Sequence, residues 1–100
     1  IEICRVIAYQ VAWMQSQGQI PNKEASISKL LGSEMLKKLY GLGMQILGMF
    51  GQLDPDSKWV PMRGRFETGY MSVGGNTVAA GTSEIQRNII ATRGLDLPRG

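Results

Sequence analysis

The stretch Ala80-Gly81-Thr82-Ser83-Glu84-Ile85-Gln86-Arg87-Asn88-Ile89-Ile90-Ala91-Thr92-Arg93-Gly94 opens on small residues and closes on a glycine. Ser83 with Gln86 three residues later reads as a capping box, which satisfies backbone N–H groups at a helix start. Ile85 and Ile89 stand one turn apart and give a narrow apolar side. The spacing predicts a helix over Ser83–Thr92. Its start, led by Gly81, has the character of an anion seat, because unpaired N–H groups and the helix dipole point the same way. An ordinary capped amphipathic helix fits the same residues.

Working outward, the rest of the chain also reads as helical. Ile3, Ile7, Val11 and Met14 recur at helical spacing, with Cys4, Val6, Ala8, Ala12 and Trp13 widening the apolar surface over Ile1–Gln17. A helix apolar on so many sides packs against more than one neighbour. Gly18 and Pro21 end it, and Asn22 is the expected N-cap of a second helix over Lys23–Phe50. There Ile27, Leu31, Met35, Leu39, Leu42, Ile46 and Met49 form an apolar stripe. Gly32, Gly41, Gly43 and Gly48 interrupt it, and close backbone approach is the usual compensation for glycines in a helix. Gly41, Gln45 and Gly48 share one flat, polar face. Either a packed helix or a flat ligand suits that face. Gln52–Gly64 reads as a loop, with Trp59 expected to pack beneath it and Arg63 and Arg65 expected in solvent. Arg65–Ser72 reads as a short helix broken by Gly74-Gly75-Asn76, and Gly94–Gly100 as a tail with little structure of its own. The predicted fold is therefore all-α, an antiparallel helical bundle.

Composition bounds the function. Of 100 residues, 43% are apolar and 19% charged, as in a globular chain. A net charge of +3, with no basic run beyond Lys37-Lys38, gives no sign of nucleic acid binding. One cysteine and no histidine exclude an internal disulfide and histidine acid–base catalysis, and argue against a Cys/His metal site; no metal is expected. Cys4 is expected to pack in a core. No apolar run is long enough to cross a bilayer, and the expected location is cytoplasmic. The chain starts inside an apolar segment, as a fragment of a longer protein would.

Gly81 to Ala91, with Arg93 following, closely resembles the C-terminal helix motif of the flavin-dependent acyl-CoA dehydrogenases. Gln45-Ile46-Leu47-Gly48 is similar to the first part of that family's Q-x-x-G-G-x-G motif; Met49 replaces the second glycine, and Phe50 precedes Gly51. Tyr70-Met71-Ser72 stands where an Arg-Asp pair is usual, which marks a divergent branch. The resemblance implies a C-terminal helical domain that contributes to FAD binding through Gln45, Gly48, Thr82 and Glu84. It implies a parent enzyme of fatty acid metabolism that desaturates an acyl-CoA thioester and passes electrons to an electron-transfer flavoprotein. It also implies homo- or hetero-oligomers, dimers or tetramers, built through this domain.

In that family a glutamate base commonly precedes the Gly-Thr pair. Here the position is Ala80, whose side chain accepts no proton. The resemblance leaves Ala80 its backbone N–H as a donor to the thioester carbonyl. The base is then expected on a helix upstream of Ile1, and the isolated chain is expected to be inactive. The alternative is a non-catalytic helical assembly module or an inactive homologue.

Overall fold

Gly18 and Pro21 set where the first helix stops and the second starts. In the computed structural model, which describes residues 1–99, α1 covers Glu2–Ser16. The Gln17 N–H bonds back to the carbonyls of Trp13 and Met14, and Gly18 takes φ +72°, a left-handed conformation that glycine adopts without strain. Pro21 is buried, and its carbonyl accepts the Ala25 N–H at 2.9 Å. Asn22 is thus the first residue of α2, Asn22–Leu47, and not its cap. Pro21 fills the cap position because its carbonyl makes the first helical bond.

α2 ends at Leu47 rather than Phe50, because Gly48 turns to φ +55° and starts a tighter 3₁₀ turn, Gly48–Gln52. A tight turn, Pro61–Gly64, in which Met62 and Arg63 take positive φ, leads into α3, Arg65–Val78. The expected break at Gly74-Gly75-Asn76 does not occur. Neither glycine takes a positive φ, and the Thr77 hydroxyl bonds the Gly74 carbonyl at 2.8 Å within the same turn. The chain breaks later, at Ala80-Gly81, with φ +57° and +93°. α4 covers Ser83–Ile89 and widens into a π-turn, Ile90–Gly94. There the Thr92 hydroxyl bonds the Asn88 carbonyl at 2.8 Å, competing with the α-helical ladder. The tail has no regular element through Arg99 but is tied back, with the Leu95 and Leu97 N–H groups bonded to the Ala91 carbonyl. Gly100, the end of the predicted tail, lies outside the described residues. All ordered elements among the described residues are helical, as the periodicity predicts.

The contacts divide the chain into two units: Ile1–Gly32 together with the chain from Val78 onward, and Ser33–Thr77. In the second unit two glycines admit close approach, Gly43, which the sequence pointed to, and Gly69, which it did not. A side chain at Gly43 would run into the Phe66 ring, and one at Gly69 into the Tyr40 ring. Each helix thus receives an aromatic ring from the other in a glycine notch. Tyr40 pairs with Gly69 while Gly43 pairs with Phe66, so the two helices run antiparallel there. The Tyr40 and Phe66 rings meet edge to face at 6.0 Å, a favoured aromatic geometry. Val73 is buried at 3% exposure on the same helix. Gly64, at φ +69°, lies against Pro55 and closes the connecting loop. Trp59 does not pack beneath that loop. It is 68% exposed, with the Lys58 ammonium 5.2 Å from its ring centroid, and it lines an apolar depression with Met49, Phe50 and Leu53. Arg63 and Arg65 are exposed as expected.

Much apolar surface is left uncovered by the chain itself. Ile3, Val6, Tyr9 and Trp13 of α1 are each at least 60% exposed. Along α2 the stripe becomes barer toward its end, from half-buried Ile27 to Ile46 at 75%, and Met49 in the turn that follows is 85% exposed. Cys4 is half-buried. No described helix is long and apolar enough to cross a membrane, and no cluster of potential metal ligands occurs among the described residues.

Candidate functional site

Ala80 has a positive φ although it is not glycine, a conformation that costs an L-residue roughly 1–2 kcal/mol. Side chains from two helices hold it. Buried Gln86, 6% exposed, donates from Nε2 to the Ala80 carbonyl at 2.9 Å, and Lys29 donates from Nζ to the Gly81 carbonyl at 2.5 Å. Gly81 is required twice. Its φ suits glycine, and a Cβ there would stand 2.8 Å from Gln86 Nε2. Ala80 itself is exposed and lines a shallow hollow of ≈ 460 Å³ with Gln15, Ile20, Lys29, Gln86 and Arg93.

The helix start differs from the predicted capping box by one residue. Thr82 is the N-cap; its Oγ1 accepts the Ile85 N–H at 3.3 Å, and its carbonyl accepts the Gln86 N–H at 2.9 Å. Gln86 reaches past the cap to Ala80, because Gly81 leaves room for its amide. The helix start is partly filled from within. Thr82 takes the Ile85 N–H, and a backbone hydrogen bond favours the ionised Glu84 carboxylate. That backbone bond is the main reason the Glu84 carboxyl lies below its ordinary pKa. The Thr82 hydroxyl is the next cause, and the charges of Arg87 and Lys29 add to them. Glu84 Oε1 is 3.9 Å from Arg87, and both are exposed.

A carboxyl held lower in the fold than in the unfolded chain adds stability above the ordinary carboxylate range and loses it as pH falls through the folded value. In an NMR titration Glu84 is therefore expected to protonate at lower pH than it does in a Thr82→Val variant. Equal midpoints in the two proteins would remove the cap from the account. The same variant is expected to lose about 1 kcal/mol of stability through the missing cap.

The other predicted residues lie in the second unit. Gln45 and Gly48 are brought together with Gly41, Met44, Gln52 and Tyr70 around a shallow hollow of ≈ 460 Å³, and Gln45 stands exposed on it. A Cβ at Gly41 or Gly48 would meet nothing within 4 Å among the described residues; the φ of +55° accounts for Gly48, while no such reason applies to Gly41. Met49 and Phe50 do not fill this hollow. They line a separate apolar depression with Leu53 and Trp59. Lys29 was missed in the sequence: it lies 52 residues before Gly81, and no local pattern links them.

The acyl-CoA dehydrogenase C-terminal domain family matches residues 1–95, and the chain belongs to that family. The acyl-CoA dehydrogenase FadE26 of Mycobacterium tuberculosis is 34% identical over 98% of this chain and 25% of its own length. The acyl-CoA dehydrogenase IpdE1 of the same organism is 33% identical over 92% of this chain and 23% of its own. A chain in the crystal structure of the ChsE4–ChsE5 complex from Mycobacterium tuberculosis superposes with a TM-score of 0.88 at 33% identity. That match covers 99% of this chain and 26% of the other. The chain thus spans about a quarter of the length of these relatives.

Proposed function

We propose that this chain is the C-terminal helical domain of a longer, FAD-dependent acyl-CoA dehydrogenase that forms an α,β double bond in an acyl-CoA thioester. The observation that supports this reading most is the strained Ala80-Gly81 turn, fixed by buried Gln86 and by Lys29 beside an open hollow. Strain of this kind persists where the surroundings over-determine it, commonly at functional sites.

The residues fit the cofactor on two counts. Gly41 and Gly48 leave a bare shelf beside the exposed Gln45 amide, which suits a flat, polar ligand. Thr82 and Glu84 offer a hydroxyl and an ionised carboxylate at the start of α4. Such a carboxylate accepts hydrogen bonds from ribityl or ribose hydroxyls and repels phosphate. Bound FAD would accept the β-hydride. The Ala80 N–H donates to the thioester carbonyl, which polarises it and acidifies the α-carbon without any side chain. The base that removes the α-proton comes from a part of the protein other than Ala80. Homo- or hetero-oligomerisation covers the exposed α1 row of Ile3, Val6, Tyr9 and Trp13, and an electron-transfer flavoprotein reoxidises the enzyme.

The absence of a proton acceptor at Ala80 favours the second reading, a non-catalytic assembly module. The full-length protein separates the two. Its flavin absorbance is recorded, and acyl-CoA thioesters are added without oxygen. Bleaching of bound flavin is the expected result. A protein that retains no flavin and responds to no thioester would overturn the enzyme reading.

A further inference from the structure

We propose that Lys29 and Gln86 are positioning residues for the Ala80 N–H, which they aim at the thioester carbonyl; this rests on the function proposed above. The torsion φ of Ala80 is rotation about its N–Cα bond, so whatever holds φ at +57° also holds the direction of the N–H relative to α4. Two peptide planes follow that bond. Gln86 Nε2 pins the first through the Ala80 carbonyl, and Lys29 Nζ pins the second through the Gly81 carbonyl. The two anchors come from different helices, α4 and α2, so neither alone fixes the turn. Gln86 is buried, and the missing Cβ of Gly81 is what admits its amide. An alanine freed from these anchors returns to the negative φ that L-residues prefer. That rotation swings the N–H away from its aim.

Loss of either anchor should act on the bound carbonyl and on turnover rather than on substrate affinity. The full-length protein with its flavin is compared with Gln86→Leu, Lys29→Met and Lys29→Arg. Flavin content, kcat, KM and the infrared carbonyl stretch of a bound acyl-CoA labelled with ¹³C at the thioester are measured.

In the parent protein the stretch is expected below its value in water. In Gln86→Leu and Lys29→Met it should return toward that value, with kcat falling about tenfold to a hundredfold while KM and flavin content change little. Lys29→Arg, which keeps a cationic donor, should recover most of both. Variants that keep the shifted stretch and the parent kcat overturn the inference and leave the function standing. So do variants in which activity falls only in proportion to lost flavin and fold. A parent protein with no flavin and no carbonyl shift overturns the function itself.

Discussion

Adding one methyl group at Gly43 or Gly69 is expected to destabilise the protein by about 1–3 kcal/mol, the usual cost of overpacking. The same change at Gly41 or Gly74 should stabilise it by up to about 1 kcal/mol. All four glycines sit inside helices. Helix propensity therefore favours alanine at every one, and only the surroundings differ. At Gly43 the new carbon would overlap the Phe66 ring and at Gly69 the Tyr40 ring, while at Gly41 and Gly74 it would meet nothing within 4 Å. The rings cannot easily retreat, because Tyr40 and Phe66 also hold each other edge to face. Unfolding by urea or heat for the four alanine variants checks the sign. A uniform sign across them would dispose of the notch account. Gly43→Ala combined with Phe66→Leu should cost less than the sum of the two, as expected of residues in contact. Gly41→Ala carries a second expectation. Because Gly41 lines the hollow beside Gln45, the full-length variant should, on the function proposed above, hold flavin less tightly than its parent.

These glycines show where the sequence was legible and where it was not. The apolar spacing of Ile3, Ile7, Val11 and Met14 is local, and it placed α1 within a residue at each end. That a cluster of glycines in α2 needed compensation was also legible. Which of them receives a ring was not: only Gly43 does, and its partner Phe66 lies more than twenty residues further along the chain. Gly74-Gly75 misled for the converse reason. A glycine pair weakens a helix but does not end it, and the chain needs α3 to continue to Val78 before the turn at Ala80-Gly81.

At the site, the residue types of the Gly81–Ala91 motif placed a capped helix correctly. The cap moved by one residue to Thr82 because Gly81 admits Gln86, a tertiary fit that a capping rule does not contain. The α2 stripe was legible as apolar, but not as bare. Exposure that rises to Met49 depends on what the chain's own helices leave uncovered.

Replacing the Ala80 N–H by an ester oxygen is expected to lower kcat of the full-length enzyme by about 10²–10³-fold, the cost of removing one oxyanion-type donor. A side-chain substitution cannot make this test. Ala80→Gly keeps the N–H and relieves the strain at φ +57°, so it should leave the donor in place. The ester changes one atom. It leaves the Gln86 and Lys29 bonds to the following carbonyls, and Thr82 still caps α4. Flavin content and the Glu84 titration should therefore match the parent protein while turnover falls. The magnitude follows from when the donor acts. As the α-proton leaves, charge builds on the thioester oxygen, and a donor fixed in advance gains most at that moment. On the function proposed above, and with no base at Ala80, this N–H is the group of the chain that would acidify the substrate. An ester protein that turns over at the parent rate would show that the strained turn serves something other than the thioester.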